Sequence, residues 1–289
     1  MRSKPGDIVD PLFLAVNPLL SDAMAELRQE SRFTAHMFDD GNRVRFAQRV
    51  DDSSRQWWID RFYRPFGLTP EGMADTLTKS APEPKLATYE FIDARNESFS
   101  LRMDGALPDQ QFWYAHRSLD LRGAAFNAEG MFVSEDAQRK GFGTALMGDL
   151  VDTCRTIKAD KITLHAERTG RYAWAMFGFV PDAGSWAQMK RDALVFLLNH
   201  ESILGQERTN DFVRRINQGG PEAIRIIAAI EDPVPSRQLP HRFEPHLVPF
   251  ARAFFLEHTG DWYGSLNLHD DETMKMVGSY RQAKKDSSR

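Results

Sequence analysis

The feature that most constrains this chain is a glycine turn set between two apolar elements. Gln138-Arg139-Lys140-Gly141-Phe142-Gly143-Thr144 follows an extended run ending in Met131-Phe132-Val133. It precedes a segment whose Leu146, Leu150, Val151, Cys154 and Ile157 share one face at helical spacing. In a strand, turn and helix of this kind the first helical N–H groups have no partner inside the helix. The aligned peptide dipoles place roughly half a positive charge at that end. Gly141 and Gly143 let a bulky anion approach the backbone and tolerate φ > 0, while Arg139 and Lys140 add positive charge beside it. The pattern predicts a diphosphate-binding turn. It is neither the three-glycine GxGxxG fingerprint nor the GxxxxGK[ST] loop, and taken alone it also suits an ordinary strand-to-helix turn.

The surrounding chain alternates in a way that predicts a sheet with helices on it. Residues 87–92, 98–103, 112–122 and 126–133 read as successive strands, with Asn96 as a turn former between the first two. After the helix, residues 161–166 read as another strand and 168–177 as a helix stopped by Gly178 and Pro181. Strand, helix, strand, helix on the end of a meander implies a mixed sheet. Residues 1–85 read as mainly helical, with candidate helices over Leu19, Leu20, Met24 and Leu27 and over Ser53–Phe62. The Trp57-Trp58 pair in the second suits either a core stripe or a binding platform. Pro82 and Pro84 mark the boundary. From 186 the chain reads as helical over 186–200, 207–216 and 222–230. A proline-rich connector follows, Pro233 to Pro249, and then Ala253–Leu256 and Trp262–Leu268, which fit strand or helix equally. Asp270, Asp271 and Glu272 cap a last helix over 273–280, ahead of a polar tail.

Composition excludes several classes. The net charge of −4 over 289 residues gives no nucleic-acid signature. A single cysteine, Cys154, rules out an intramolecular disulfide and leaves no cysteine-built metal site, and its place on the apolar helix face assigns it to the core. His241, His246, His258 and His269 have no metal-ligand spacing, so no metal is expected. There is no apolar run of membrane-spanning length. Asp7 and Asp10 interrupt the weakly signal-like start, which reads as a folded N-terminus of a cytoplasmic protein.

Gln138-x-x-Gly141-x-Gly143 resembles the Q/R-x-x-G-x-G/A acyl-CoA loop of the GNAT superfamily of N-acetyltransferases. The resemblance extends from about Phe126 to Phe179 in the order of strand, loop, long helix, strand, and a helix ending in Gly178-Phe179. It implies an α/β (α+β) fold with a mixed central sheet and packed helices. The core would span 86–185, with helical extensions 1–85 and 186–289 that shape an acceptor side or a homodimer contact. Acetyl-CoA is the implied co-substrate. Main-chain amides of Gln138, Arg139, Lys140, Gly141, Phe142, Gly143 and Thr144 would hold its pyrophosphate, and Met131, Phe132 and Val133 would pair with the pantetheine arm.

The implied chemistry is direct attack of a primary amine on the thioester. That requires a base to take the amine proton and is helped by an acid at the departing thiolate. Glu129 is the first base candidate, against a reading as a turn or edge residue between Asn127 and Gly130; His116 and Asp120 follow. The family's tyrosine acid falls at Trp174, a departure from the pattern. Tyr172 lies nearby but leaves the helix roughly 200° away. Trp174 would then pack on the CoA arm. The departure also keeps a second class open, a GNAT-like module that binds acyl-CoA and acts through protein partners without efficient turnover.

Overall fold

The computed structural model describes residues 34, 36–83, 85–93, 98–109, 111–120, 124–135, 138, 141–236 and 247–287. The helix expected around Leu19–Leu27 lies outside the described residues, as do Arg139 and Lys140.

Alternation of large apolar and polar side chains builds the central sheet. Its strands are β1 (Val44–Phe46), β2 (Lys85–Asp93), β3 (Ser98–Ala106), β4 (Phe112–Asp120), β5 (Ala125–Val133), β6 (Lys161–Ala166), β7 (Val180–Pro181) and, after a two-stranded ribbon of β8 (Pro233–Pro235) and β9 (Leu247–Pro249), β10 (Trp262–Asn267). The order across the sheet is β1-β2-β3-β4-β5-β6-β10-β7. Strands β2 to β5 form an antiparallel meander, β5 and β6 run parallel, and β10 is antiparallel to both β6 and β7. One face is apolar: Tyr89, Phe91, Phe99, Leu101, Trp113, Leu119, Phe126 and Ile162 are all buried. The fold is mixed α/β, as the sequence predicts.

Helices cover that face. In α1 (Asp52–Trp58), Asp51 caps the start by accepting from the Ser54 N–H at 2.7 Å, and a π turn at Ile59–Tyr63 carries the helix on to Phe66. Next come α2 (Pro70–Leu77), α3 (Phe142–Thr156), α4 (Gly170–Phe177), α5 (Ala183–Asn199), α6 (Gln206–Gln218), α7 (Ile224–Ala228), α8 (Phe250–Ala253) and α9 (Asp271–Ser287). Helices α2 and α3 touch, and α9 lies against both α3 and α4. Among the described residues no helix is long and apolar enough to cross a membrane.

Trp58 decides between the two readings of the tryptophan pair. It is 0% exposed, its ring lies 4.8 Å from Phe62 and 5.3 Å from Phe99, and its Nε1–H donates to Leu68 O at 2.9 Å. This is core. Trp58→Ala is expected to cost ~3–5 kcal/mol, from lost transfer free energy and the cavity left behind. Denaturant unfolding of the variant measures this, and a loss below about 1 kcal/mol would contradict the assignment.

Both flanks enter the sheet that the sequence reading confined to 86–185. β1 supplies one edge. β10 sits between β6 and β7, so the apolar stretch 262–268, which fitted strand or helix equally, is a strand. The supposed polar tail is helical as far as Ser287, because α9 continues well past Tyr280. The α9 start is capped as expected, with Asp270 accepting from the Thr273 N–H at 3.0 Å.

Candidate functional site

The site begins where β5 leaves β6. Their parallel pairing covers Ala125–Ala128 against Lys161–Leu164 and goes no further, although β5 runs to Val133 and β6 to Ala166. Along its other edge β5 stays paired with β4 to the end, Val133 opposite Trp113. A gap therefore opens between β5 and β6 beyond Ala128.

A β-bulge lies at the mouth of that gap. His116 pairs with Gly130 and Arg117 with Ala128, so Glu129 is the extra residue on β5. Glu129 is thus not a turn residue but a strand residue where the β6 side of β5 is open. The bulge turns its side chain outward, 40% exposed, onto the polar face of the sheet. There the Ser118 hydroxyl donates to Glu129 Oε1, and His116 Nδ1 lies 3.1 Å from Glu129 Oε2. Ser100 Oγ lies 2.7 Å from His116 Nε2. A carboxylate only accepts, so Nδ1 carries a proton toward Glu129, and Nε2 is left to the Ser100 hydroxyl. The chain of polar groups continues through Asn127, whose Nδ2 donates to Ser118 Oγ at 3.3 Å, and Thr163, whose hydroxyl donates to Asn127 Oδ1. Glu129 and His116 are brought together. Asp120 is not, since it pairs with Ala125 at the far end of β4.

The other end of the gap is the glycine turn. Gly141 adopts φ 81° as the residue before α3, and no side chain caps the helix. The first helical bond runs from the Ala145 N–H to Gly141 O at 3.0 Å, which leaves the amides of Phe142, Gly143 and Thr144 as first-turn donors. Gln138 Nε2 donates to Val133 O at 2.9 Å, tying the turn back to the end of β5. A Cβ on Gly143 would lie 3.1 Å from Met131 Cε, so β5 and α3 meet closely there. Phe142 packs on Trp113 with ring centroids 5.9 Å apart, and Phe132 stacks between Phe112 and Tyr114 at 5.2 and 5.9 Å.

Helix α4 sends Tyr172 and Trp174 to different sides. Trp174 folds over Gly170 and packs on Phe177 and Phe179 at 6.3 and 6.1 Å. Tyr172 leans toward Phe255, 6.4 Å away, and burial raises its pKa, so the phenol stays protonated at neutral pH. Cys154 is fully buried and burial pushes its thiol up, which fits core and not nucleophile.

Three features escaped the sequence reading. Tyr280 of α9 packs on Phe177 at 5.9 Å, burial raises its pKa, and Thr144 in the first turn of α3 acts on its phenol in the opposite sense. Nothing local in the sequence links residues so far apart. His165, Glu167 and Asp261 bring ligand-type atoms within 4.8 Å of one another, with His165 Nδ1 3.0 Å from Glu167 Oε1 and the imidazole stacked on Tyr263 at 4.1 Å. This group could hold a metal ion, although Arg171 Nε already stands 3.8 Å from Asp261. Arg117 lies buried beneath the bulge; the alternation of Trp113, Ala115, Arg117 and Leu119 on one face of β4 was its signal.

Residues 73–193 match the family model of the acetyltransferase (GNAT) domain. No curated protein matches the chain. Among solved structures, a nourseothricin acetyltransferase is similar at 20% identity with a TM-score of 0.27, over 32% of this chain and 55% of that one. The match thus spans about half the length of that neighbour.

Proposed function

We propose that this chain, which carries a GNAT acetyltransferase domain over residues 73–193, moves an acetyl group from acetyl-CoA to a primary amine by direct attack. The observation that carries the reading is the gap between β5 and β6, with the Glu129–His116 pair at its mouth and the uncapped first turn of α3 at its end.

Each part has a physical role. The amides of Phe142, Gly143 and Thr144, with Gln138, Gly141 and the cationic Arg139 and Lys140, hold the diphosphate of acetyl-CoA at the positive end of the α3 dipole. Strand residues Met131, Phe132 and Val133 offer backbone groups to the pantetheine arm, and Trp174 packs beside it. The acceptor ammonium gives a proton to Glu129, and His116, held by Ser100, spreads the resulting charge change over a hydrogen-bonded chain. The neutral amine nitrogen then forms its bond to the thioester carbonyl carbon, whose π pair moves to oxygen. The nitrogen, cationic after attack, sheds its second proton to water; the pair returns as the C–S bond breaks, and the thiolate takes a proton from Tyr172, the candidate acid, or from water. A cytoplasmic homodimer is the expected setting, with the flanking segments shaping the acceptor side.

Release of CoA thiol in the presence of acetyl-CoA and a panel of primary amines tests the reading. Acceptor-dependent release supports it. Tight acetyl-CoA binding with no acceptor-dependent release across mono-, di- and polyamines would favour the binding-module alternative that Trp174 raises.

A further inference from the structure

Arg117 is 2% exposed, on the packed face of the sheet, and among the described residues no carboxylate lies within ion-pair distance of it. Burial lowers its pKa only to about 10, so it remains a cation at neutral pH, and the neighbouring Cys154 thiol is neutral and supplies no counter-charge. A buried charge without a partner is costly. That cost points to a role outside packing.

The geometry supplies one. A single guanidinium nitrogen, Nη1, donates to His116 O and to Gly130 O, both at 2.9 Å, and Nη2 lies 4.0 Å from Met131 Sδ. His116 and Gly130 are the pair next to the bulge, and the guanidinium ties their two carbonyls together where the register shifts. A trans peptide holds its C=O and N–H antiparallel. Fixing the Gly130 carbonyl on the guanidinium of β4 therefore turns the Met131 N–H toward the opposite edge of β5, which is the open gap.

We infer that Arg117 is a positioning residue for acyl transfer: it clamps the bulge so that Glu129 faces outward and the Met131 N–H faces the thioester carbonyl, and its uncompensated charge favours the oxyanion formed there. This rests on the reading of the β5–β6 gap as the donor cleft. A preorganised donor aimed at developing negative charge contributes most to rate and little to ground-state binding.

Arg117→Met removes the donors and the charge while keeping length and volume. The expected result is a chain that still folds with a somewhat lowered thermal midpoint, an acetyl-CoA affinity within about threefold by calorimetry, and a kcat lower by ~100-fold or more. Arg117→Lys keeps the charge but lacks the planar fork, and should lose ~10-fold in kcat at unchanged affinity. A folded Arg117→Met chain with kcat within threefold of the unaltered chain overturns the inference. If that variant does not fold, Arg117→Lys at full kcat overturns it instead. Failure of the underlying donor-cleft reading shows separately, as absence of acetyl-CoA binding by the unaltered chain, and removes the inference with it.

Discussion

Gly143→Trp is expected to abolish measurable acetyl-CoA binding, with the calorimetric Kd weakened by ~100-fold or more, about 2.7 kcal/mol or greater. A Cβ at this position already lies 3.1 Å from Met131 Cε, so an indole crowds the junction of β5 with the first turn of α3. Among the described residues the amides of Phe142, Gly143 and Thr144 are the first-turn donors at that helix end, and their worth depends on close approach. Gly141→Val should act in the same direction by another route. Gly141 sits at φ 81°, where a β-branched residue is strained, so the turn must rearrange. Circular dichroism separates lost binding from lost fold, since neither glycine lies in the buried core. Unchanged affinity in a folded Gly143→Trp chain would contradict the loop assignment.

The glycine turn was legible in the sequence because its chemistry is local: strand, two glycines and an amphipathic helix are contiguous. The meander was legible for the same reason, since alternation within β2, β3 and β4 needs no knowledge of partners. What remained hidden depends on distant pairing. Strand β10 carries the alternation Trp262, Gly264, Leu266 on its buried side, but Gly264 weakens the strand signal and only its pairing with β6 and β7 fixes it. β1 is three residues long and is a strand only because β2 offers an edge.

The bulge was obscured in a more instructive way. Along β5 the inward residues are Phe126 and Ala128 and then Met131 and Val133, so the period of two shifts phase at Glu129–Gly130. Read as sequence, that shift looks like a turn. Read as structure, it is one extra residue in a continuous strand, the device that aims Glu129 out of the sheet. Arg117 was missed because its place in the inward phase of β4 conflicts with its charge, and the carbonyls it binds at the bulge are set by pairing between strands.

Glu129→Gln is expected to carry the second large effect, a fall in kcat of ~100- to 10,000-fold with acetyl-CoA affinity unchanged. The amide keeps the size of the side chain, but Ser118 and His116 contact separate carboxylate oxygens, so its single oxygen accepts from one of them only. What it loses is the capacity to take a proton from the acceptor ammonium. Separating kcat from the KM for acetyl-CoA distinguishes this from damage to the donor cleft. His116→Ala should give a smaller loss of the same kind, because the carboxylate is left in place with one neighbour fewer. If Glu129→Gln retained full kcat, the base would be elsewhere on the polar face.

The most direct test of the whole account is a crystal structure of the chain with acetyl-CoA bound. The account predicts the diphosphate on the amides of Phe142, Gly143 and Thr144 and the pantetheine arm in the gap beside Met131–Val133. It also predicts the thioester carbonyl oxygen within about 2.7–3.1 Å of the Met131 N–H, with Glu129 facing the same space. Acetyl-CoA bound elsewhere, or a gap between β5 and β6 left closed and unoccupied in the complex, would contradict it.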